Sequence, residues 1–154
     1  MNARLVRQTL DEQRRDFTRG GDPAEAMDVG LRRKIREWLE KMGIQGYRIN
    51  EDRSIDVVDD CVYLHGRDLS EFPNYVKFGK VDGYFSCSHN DLISLEGCPE
   101  TVGGSFSCDH NALVSLEGCP KTVDGNFYCR NNRKRFTEEE VRSFCDVKGE
   151  IRVK

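Results

Sequence analysis

A chain of 154 residues is long enough to bury one core, and with a third of its residues charged it still nets only −3, too balanced to track a phosphate backbone. No apolar run approaches the roughly 20 residues of a membrane span, and the opening MNARLVRQTL lacks the apolar core and small-residue cleavage site of a secretory signal. Nucleic acid and membrane are therefore excluded as default partners, and a soluble cytoplasmic protein is expected.

In chain order, Leu5, Val6, Leu10 and Phe17 among arginines and acids predict a short amphipathic helix over residues 3–18. Gly20-Gly21 ends it. Asp22 then offers an N-cap with Pro23 in the first helical position. Gly30 predicts a break or two short helical pieces. From Leu31 to Met42 the apolar residues Leu31, Ile35, Trp38, Leu39 and Met42 share one helical face, and Gly43 is a suitable residue to stop the helix. Arg32, Arg33 and Arg36 lie off that face. They form either a docking surface for an acidic partner or, the reading the pattern favours, a solvated face balanced by Glu37 and Glu40. Tyr47 and Ile49, then Ile55 and Val57, alternate around the turn-prone Asn50–Arg53 and predict a β-hairpin.

The rest of the chain copies itself. VDGYFSCSHNDLISLEGCPET is followed by VGGSFSCDHNALVSLEGCPKT and then VDGNFYCRNN, so Phe85, Phe106 and Phe127 stand 21 residues apart, as do Cys87, Cys108 and Cys129, and Asn90, Asn111 and Asn132. A fixed period in the 20s repeated without a gap marks a solenoid, in which each copy buries its apolar face against the next. Val58, Val62, Leu64, Leu69 and Phe72 restate the pattern at an offset of 23, with the two-residue excess expected around Pro73–Gly79, and Gly66-Arg67 standing where the later copies have His-Asn. After Asn132, Thr137 with Glu140 makes a capping box that opens a helix running to about Cys145. Phe136, Val141, Phe144 and Cys145 are expected to face inward. Val147, Gly149, Ile151 and Val153 then restate the strand at an offset of 24.

Within a copy, Phe85 and Cys87 alternate with Ser86 and Ser88, the period of a strand with one buried face. A buried Asn at the end of each strand can bond neighbouring backbone groups, so stacked copies build an asparagine ladder. The motif F-x-C-x-x-N-x-L-x-x-L resembles the leucine-rich repeat segment L-x-L-x-x-N-x-L, nearest the short bacterial class, and departs from it in its 21-residue spacing and its Val-x-Gly. The wording S-L-E-G-C-P and V-G-G-x-F-x-C, with Asp22-Pro23, Met27, Trp38-Leu39 and the Ile49–Val57 stretch, is similar to uncharacterised phage-encoded leucine-rich repeat proteins. The expected fold is an α/β solenoid with one curved parallel sheet of about five short strands. Residues 1–45 form an N-terminal helical region, 46–58 a capping hairpin, 58–132 the repeat solenoid, and 133–154 a helix-strand cap.

Seven cysteines without an export signal do not read as a disulfide framework. Five recur because the repeat recurs, at steps of 10 or 11 residues with none in a C-x₂-C pair, so small-residue packing is favoured over metal or disulfide chemistry. His89 and His110 form a second ladder that could hold a metal with Asp91 or Asp109, but a polar residue at a turn is the favoured reading. No serine stands in a nucleophile elbow, and no glycine loop joins a strand to a helix as phosphate binding requires. No catalytic residue, metal ligand or cofactor is assigned, and a non-enzyme is expected.

What remains is the outward face of the strands, where Tyr63, His65, Tyr84, Ser86, Ser88, Ser107, Asp109, Tyr128 and Arg130 are the candidate partner-binding residues. Tyrosine gives large contact area at low entropic cost. The resemblance implies a phage-encoded module in the host cytoplasm that binds a host protein, in a host-takeover or anti-defence role. The alternative is a self-assembling or virion-associated homo-oligomer held together by the N-terminal helix with Leu5, Leu10 and Phe17.

Overall fold

The computed structural model describes residues 22–154, so the helix expected over 3–18, and the oligomerisation element within it, lie outside the described residues. The chain falls into two units, one up to Glu37 and one from Trp38 to Lys154.

Helix α1 (Pro23–Lys41) opens on Asp22, whose carboxylate accepts the Ala24 N–H at 3.2 Å. It runs through Gly30 without the expected break, since one glycine costs only about 1 kcal/mol in a helix of this length. Arg32 and Asp28 pair one turn apart at 2.8 Å. The helix stops as expected: Gly43 is left-handed at φ +74°, the Ile44 N–H reaches Leu39 O at 2.9 Å, and the Gly43 N–H reaches Glu40 O at 3.1 Å.

The second unit is a β-solenoid of about four stacked parallel turns with few helices. A hairpin of β1 (Tyr47–Ile49) and β2 (Ile55–Val57) precedes β3 (Val62–Tyr63). The coils then contribute β4 (Phe78–Val81) and β5 (Phe85–Ser86), β6 (Thr101–Val102) and β7 (Phe106–Ser107), and β8 (Thr122–Val123) and β9 (Phe127–Tyr128). Helix α2 (Glu138–Phe144) follows, then β10 (Asp146–Val147) and β11 (Ile151–Arg152).

These strands form two sheets where one was expected. A six-stranded sheet runs β1-β2-β4-β6-β8-β10, and a five-stranded sheet runs β11-β9-β7-β5-β3. The five-stranded sheet is the anticipated one, in the anticipated register: Val62 pairs with Phe85, Phe85 with Phe106, Phe106 with Phe127, and Ile151 with Phe127. The additional sheet is built by the residues before each Val-x-Gly. Gly104 and Gly125 turn the corner between the two sheets, where a side chain on either would come within 2.9 Å of the backbone of the coil beside it. Only glycine fits there, so Val-x-Gly is a corner and not a failed leucine pattern.

The register differs from expectation at one end. Val57, fully buried, pairs with Val81, while Val58 is 42% exposed, because the first coil holds an extra residue in its Asp59-Asp60 corner. The core is a column of phenylalanines: Phe85 and Phe106 are stacked at 5.8 Å, and Phe106 and Phe127 lie 5.1 Å apart. Cys87, Cys108 and Cys129 stand beside them, and the Leu92, Leu95, Leu113 and Leu116 positions fill the opposite wall. At the hairpin end, Trp38 packs edge-on against Phe72 and Phe78 at 6.2 and 6.3 Å. At the other end the capping box of α2 forms as read, Thr137 accepting the Glu140 N–H and Glu140 accepting the Thr137 N–H. Phe144 does not face inward; it is 49% exposed. It stands three residues from the buried Val141, on the rim of the short helix's apolar side.

The asparagine ladder is present in each full coil. Asn90 donates to Leu64 O (2.9 Å) and Cys87 O (3.0 Å) and accepts from the Arg67 and Leu69 N–H groups. One and two coils on, Asn111 and Asn132 likewise donate to carbonyls of their own and the preceding coil, each accepting one N–H, from Leu92 and Leu113. No described helix is long and apolar enough to cross a membrane.

Candidate functional site

Because Phe85 and Cys87 point inward, their neighbours line the outer face of the five-stranded sheet, and stacking arranges them in columns about 4.8 Å apart per strand. One column runs Tyr63, Ser86, Ser107, Tyr128 and Arg152, as the strand registers dictate. The next, two residues on along each strand, holds His65, Ser88, Asp109 and Arg130.

Six of the nine candidate residues keep solvent access. Tyr63 is 57% exposed, His65 is exposed, and Tyr84, Ser88, Tyr128 and Arg130 are partly covered. Ser86, Ser107 and Asp109 are buried, at 3%, 4% and 5% exposure, so they are not the accessible contacts their place in the alternation predicts. The reason is neighbouring size. Ser86 sits in register beside Tyr63, and Ser107 beside Tyr128, so each short side chain lies in the shadow of a ring. Ser86 and Ser88 share a hydroxyl–hydroxyl bond of 3.0 Å.

Asp109 is a buried carboxylate with a dedicated cation. Arg130 gives it Nη2 at 2.7 Å and Nε at 3.1 Å, and the Arg130 N–H bonds the other oxygen. The same guanidinium lies 5.5 Å from the centre of the Tyr128 ring. Much of Arg130 is therefore committed within the fold. At the opposite end of the face the Tyr63 and Tyr84 rings meet at 5.8 Å with a 50° tilt. Cys61, which sequence reasoning left off the face, belongs beside them: its Sγ accepts the Tyr84 N–H at 3.2 Å. Its position 23 residues before Tyr84, the offset that aligns Val62 with Phe85, was the signal. Asn126, outward on the strand of Tyr128 as the alternation predicts, donates to the Tyr128 hydroxyl at 3.0 Å and accepts the Glu150 N–H at 2.8 Å.

The histidine ladder is a turn feature. His89 and His110 both lie at φ +57°, Asn131 at +58°, and Gly66 takes the same place in the first coil at +65°. A left-handed position selects Gly, Asn and occasionally His, which accounts for the residues found there. The two rings stack at 4.3 Å and 10°. Rings stacked in parallel direct their in-plane lone pairs alongside one another, not at a common point.

All seven cysteines are free thiols. Burial pushes the Cys98 and Cys108 thiols well up, and raises Cys119, Cys129 and Cys145 to about 12. Such thiols stay protonated and behave as small apolar side chains. Among the described residues no group of three or more His, Cys, Asp or Glu side chains converges as a metal set would. A groove of about 720 Å³, not anticipated, opens where the Gly-Cys-Pro turns stack, lined by Phe72, Val76, Gly97, Cys98, Gly118 and Lys121 among others.

No protein-family model, characterised protein or solved structure matches the chain.

Proposed function

We propose that this chain is a non-enzymatic protein-binding module that engages its partner through the outer face of the five-stranded sheet. The observation that carries the reading is the Tyr63–Tyr84 pair, two rings in contact at 5.8 Å with Tyr63 more than half exposed on a rigid strand edge. A large aromatic side chain left in water on an ordered scaffold is the kind of anchor that dominates binding interfaces. Tyr128 and Arg130 supply a second anchor farther along the same face, on β9, with His65 on the coil of Tyr63 and Ser88 on the coil of Tyr84. On the resemblance of its repeat wording to phage-encoded leucine-rich repeat proteins, the partner is a host protein in the host cytoplasm, bound in a host-takeover or anti-defence role. On the same reading the solenoid is leucine-rich-repeat-like, with the α1 end and the β1–β2 hairpin closing its first coil and α2 with β10 and β11 closing its last.

The test is affinity capture from host lysate with the wild-type chain and with Tyr84→Ala/Tyr128→Ala. The double variant is expected to lose the captured protein while keeping its circular dichroism spectrum. Unchanged capture would remove the face from the proposal.

A further inference from the structure

We infer that the Tyr63–Tyr84 pair takes a cationic side chain, so that the partner presents an exposed arginine or lysine from a basic segment to this corner of the face. The inference rests on the proposed use of the face for binding and adds the chemistry of what it binds. Three observations lead to it. Between Val58 and Asn132 the chain carries eleven Asp and Glu against five Lys and Arg, so a chain that nets only −3 concentrates its negative charge in the solenoid coils.

That charge is compensated unevenly. On the face, Arg130 is matched by Asp109 and Arg152 by Glu150, two neutral pairs. At the β3 corner, Asp59 and Asp60 are both exposed and, among the described residues, neither has a cation within ion-pair distance. Asp60 spends one oxygen on the Cys61 N–H at 2.8 Å, while Asp82 accepts the Asp59 N–H at 2.9 Å and is itself paired with Lys80 at 3.7 Å, so the uncompensated charge is that of Asp59 and Asp60.

One of these carboxylates acts on the tyrosine pair. The Tyr63 hydroxyl is held above the ordinary tyrosine range, chiefly by the neighbouring Cys61 thiol, then by burial and Tyr84, with the Asp60 carboxylate adding the least. Two rings in contact at 5.8 Å, with the Asp60 carboxylate acting on Tyr63, attract a cation through the ring quadrupoles and the charge together. An anionic or purely apolar group gains only part of this arrangement, and the first is repelled by it.

The probe is an arginine-rich heptapeptide, with a control in which every arginine is replaced by glutamine, titrated into the whole chain while ring resonances of Tyr63 and Tyr84 are followed by NMR. The arginine peptide is expected to shift both rings, with affinity falling as NaCl rises. Asp59→Asn/Asp60→Asn should weaken it about tenfold at low salt, Tyr63→Leu about three- to fivefold, and Tyr63→Phe, which keeps the ring, by less than twofold. Equal shifts from the glutamine peptide, or no shift from either, would overturn the cation requirement. The binding face would then still be judged by the capture experiment with Tyr84→Ala/Tyr128→Ala, so the two readings fail separately. Self-association of the chain at low salt, abolished by Asp59→Asn/Asp60→Asn without peptide binding, would assign the cation to a second copy and overturn the separate partner.

Discussion

Asn90→Ala measures what holds one coil to the next. The Asn90 side chain is 7% exposed and makes five bonds to backbone: its amide reaches Leu64 O at 2.9 Å, Cys87 O at 3.0 Å and Ser88 O at 3.2 Å, and its oxygen accepts Arg67 N–H at 2.9 Å and Leu69 N–H at 3.0 Å. Cys87 O keeps the Asn111 amide at 3.0 Å, and Ser88 O keeps the Gly66 N–H at 3.2 Å. Three groups are then left bare: Leu64 O and the N–H groups of Arg67 and Leu69. An unpaired buried backbone group costs about 1–3 kcal/mol, and at the rim of a coil water reaches part of the site, so the loss is set at about 3 kcal/mol. Asn132 makes four such bonds at 3.2 to 3.4 Å, accepting one N–H instead of two, and is only half-buried, so Asn132→Ala should cost about 1 kcal/mol. Asn90→Asp should cost more than alanine at neutral pH, because a charged acceptor would face three carbonyl oxygens. Urea unfolding followed by circular dichroism and by the fluorescence of Trp38 gives the free energies. A loss at Asn90 below about 1 kcal/mol, or equal losses at Asn90 and Asn132, would refute the ladder as a source of stability.

Two further outcomes follow from backbone and thiol chemistry. Gly118 lies at φ +88°, and a Cβ there would come within 2.6 Å of the Glu96 nitrogen, whereas Gly43 at φ +74° has open space around it. Gly43→Ala should therefore cost only the left-handed penalty of about 1 kcal/mol and Gly118→Ala at least twice that, read from the same urea midpoints. The thiols give a pH dependence. Unfolding releases them to an ordinary value near 8.5, while the fold holds Cys129 and Cys145 protonated to about 12. Above about pH 8.5 the folded chain thus binds more protons than the unfolded one, and stability must fall as pH rises, by about 2 kcal/mol per buried thiol by pH 10. A urea midpoint unchanged between pH 8 and pH 10 would contradict that burial.

The repeat was legible because its signals are periodic or local. The 21-residue step, the offsets of 23 and 24 at the two ends, the caps at Asp22, Gly43 and Thr137, and the asparagine ladder each depend on residues the pattern itself names. The six-stranded sheet was not legible, because strands of two residues such as Thr101–Val102 are too short to alternate. The Gly104 and Gly125 corner shows its purpose only once a neighbouring coil stands against it. The same holds for the face. Alternation places Ser86, Ser107 and Asp109 outward correctly, but their burial is decided by Tyr63, Tyr128 and Arg130 on adjacent coils, and nothing within one copy records that. Val57 and Val58 are equally good apolar residues in the sequence, and only the corner at Asp59-Asp60 selects between them.

Stacking separates the side chains that must repeat from those free to differ. Phe85, Phe106 and Phe127 must pack on one another, and Asn90, Asn111 and Asn132 must bridge adjacent coils, so their columns hold one residue type. The outward columns carry no such demand: one holds Tyr63, Ser86, Ser107 and Tyr128, the next His65, Ser88, Asp109 and Arg130. Charge sorts along the same axis. At β9 the Arg130 guanidinium is spent on Asp109 and Tyr128, leaving that strand nearly neutral, while near β3 the exposed Asp59 and Asp60 carboxylates have no cation within ion-pair distance among the described residues. A face that carries rings near β3 and at β9 but unpaired negative charge only near β3 distinguishes the two directions in which a partner could lie across it. Under the proposed binding function, the β3 corner therefore sets orientation, and Tyr128 adds area.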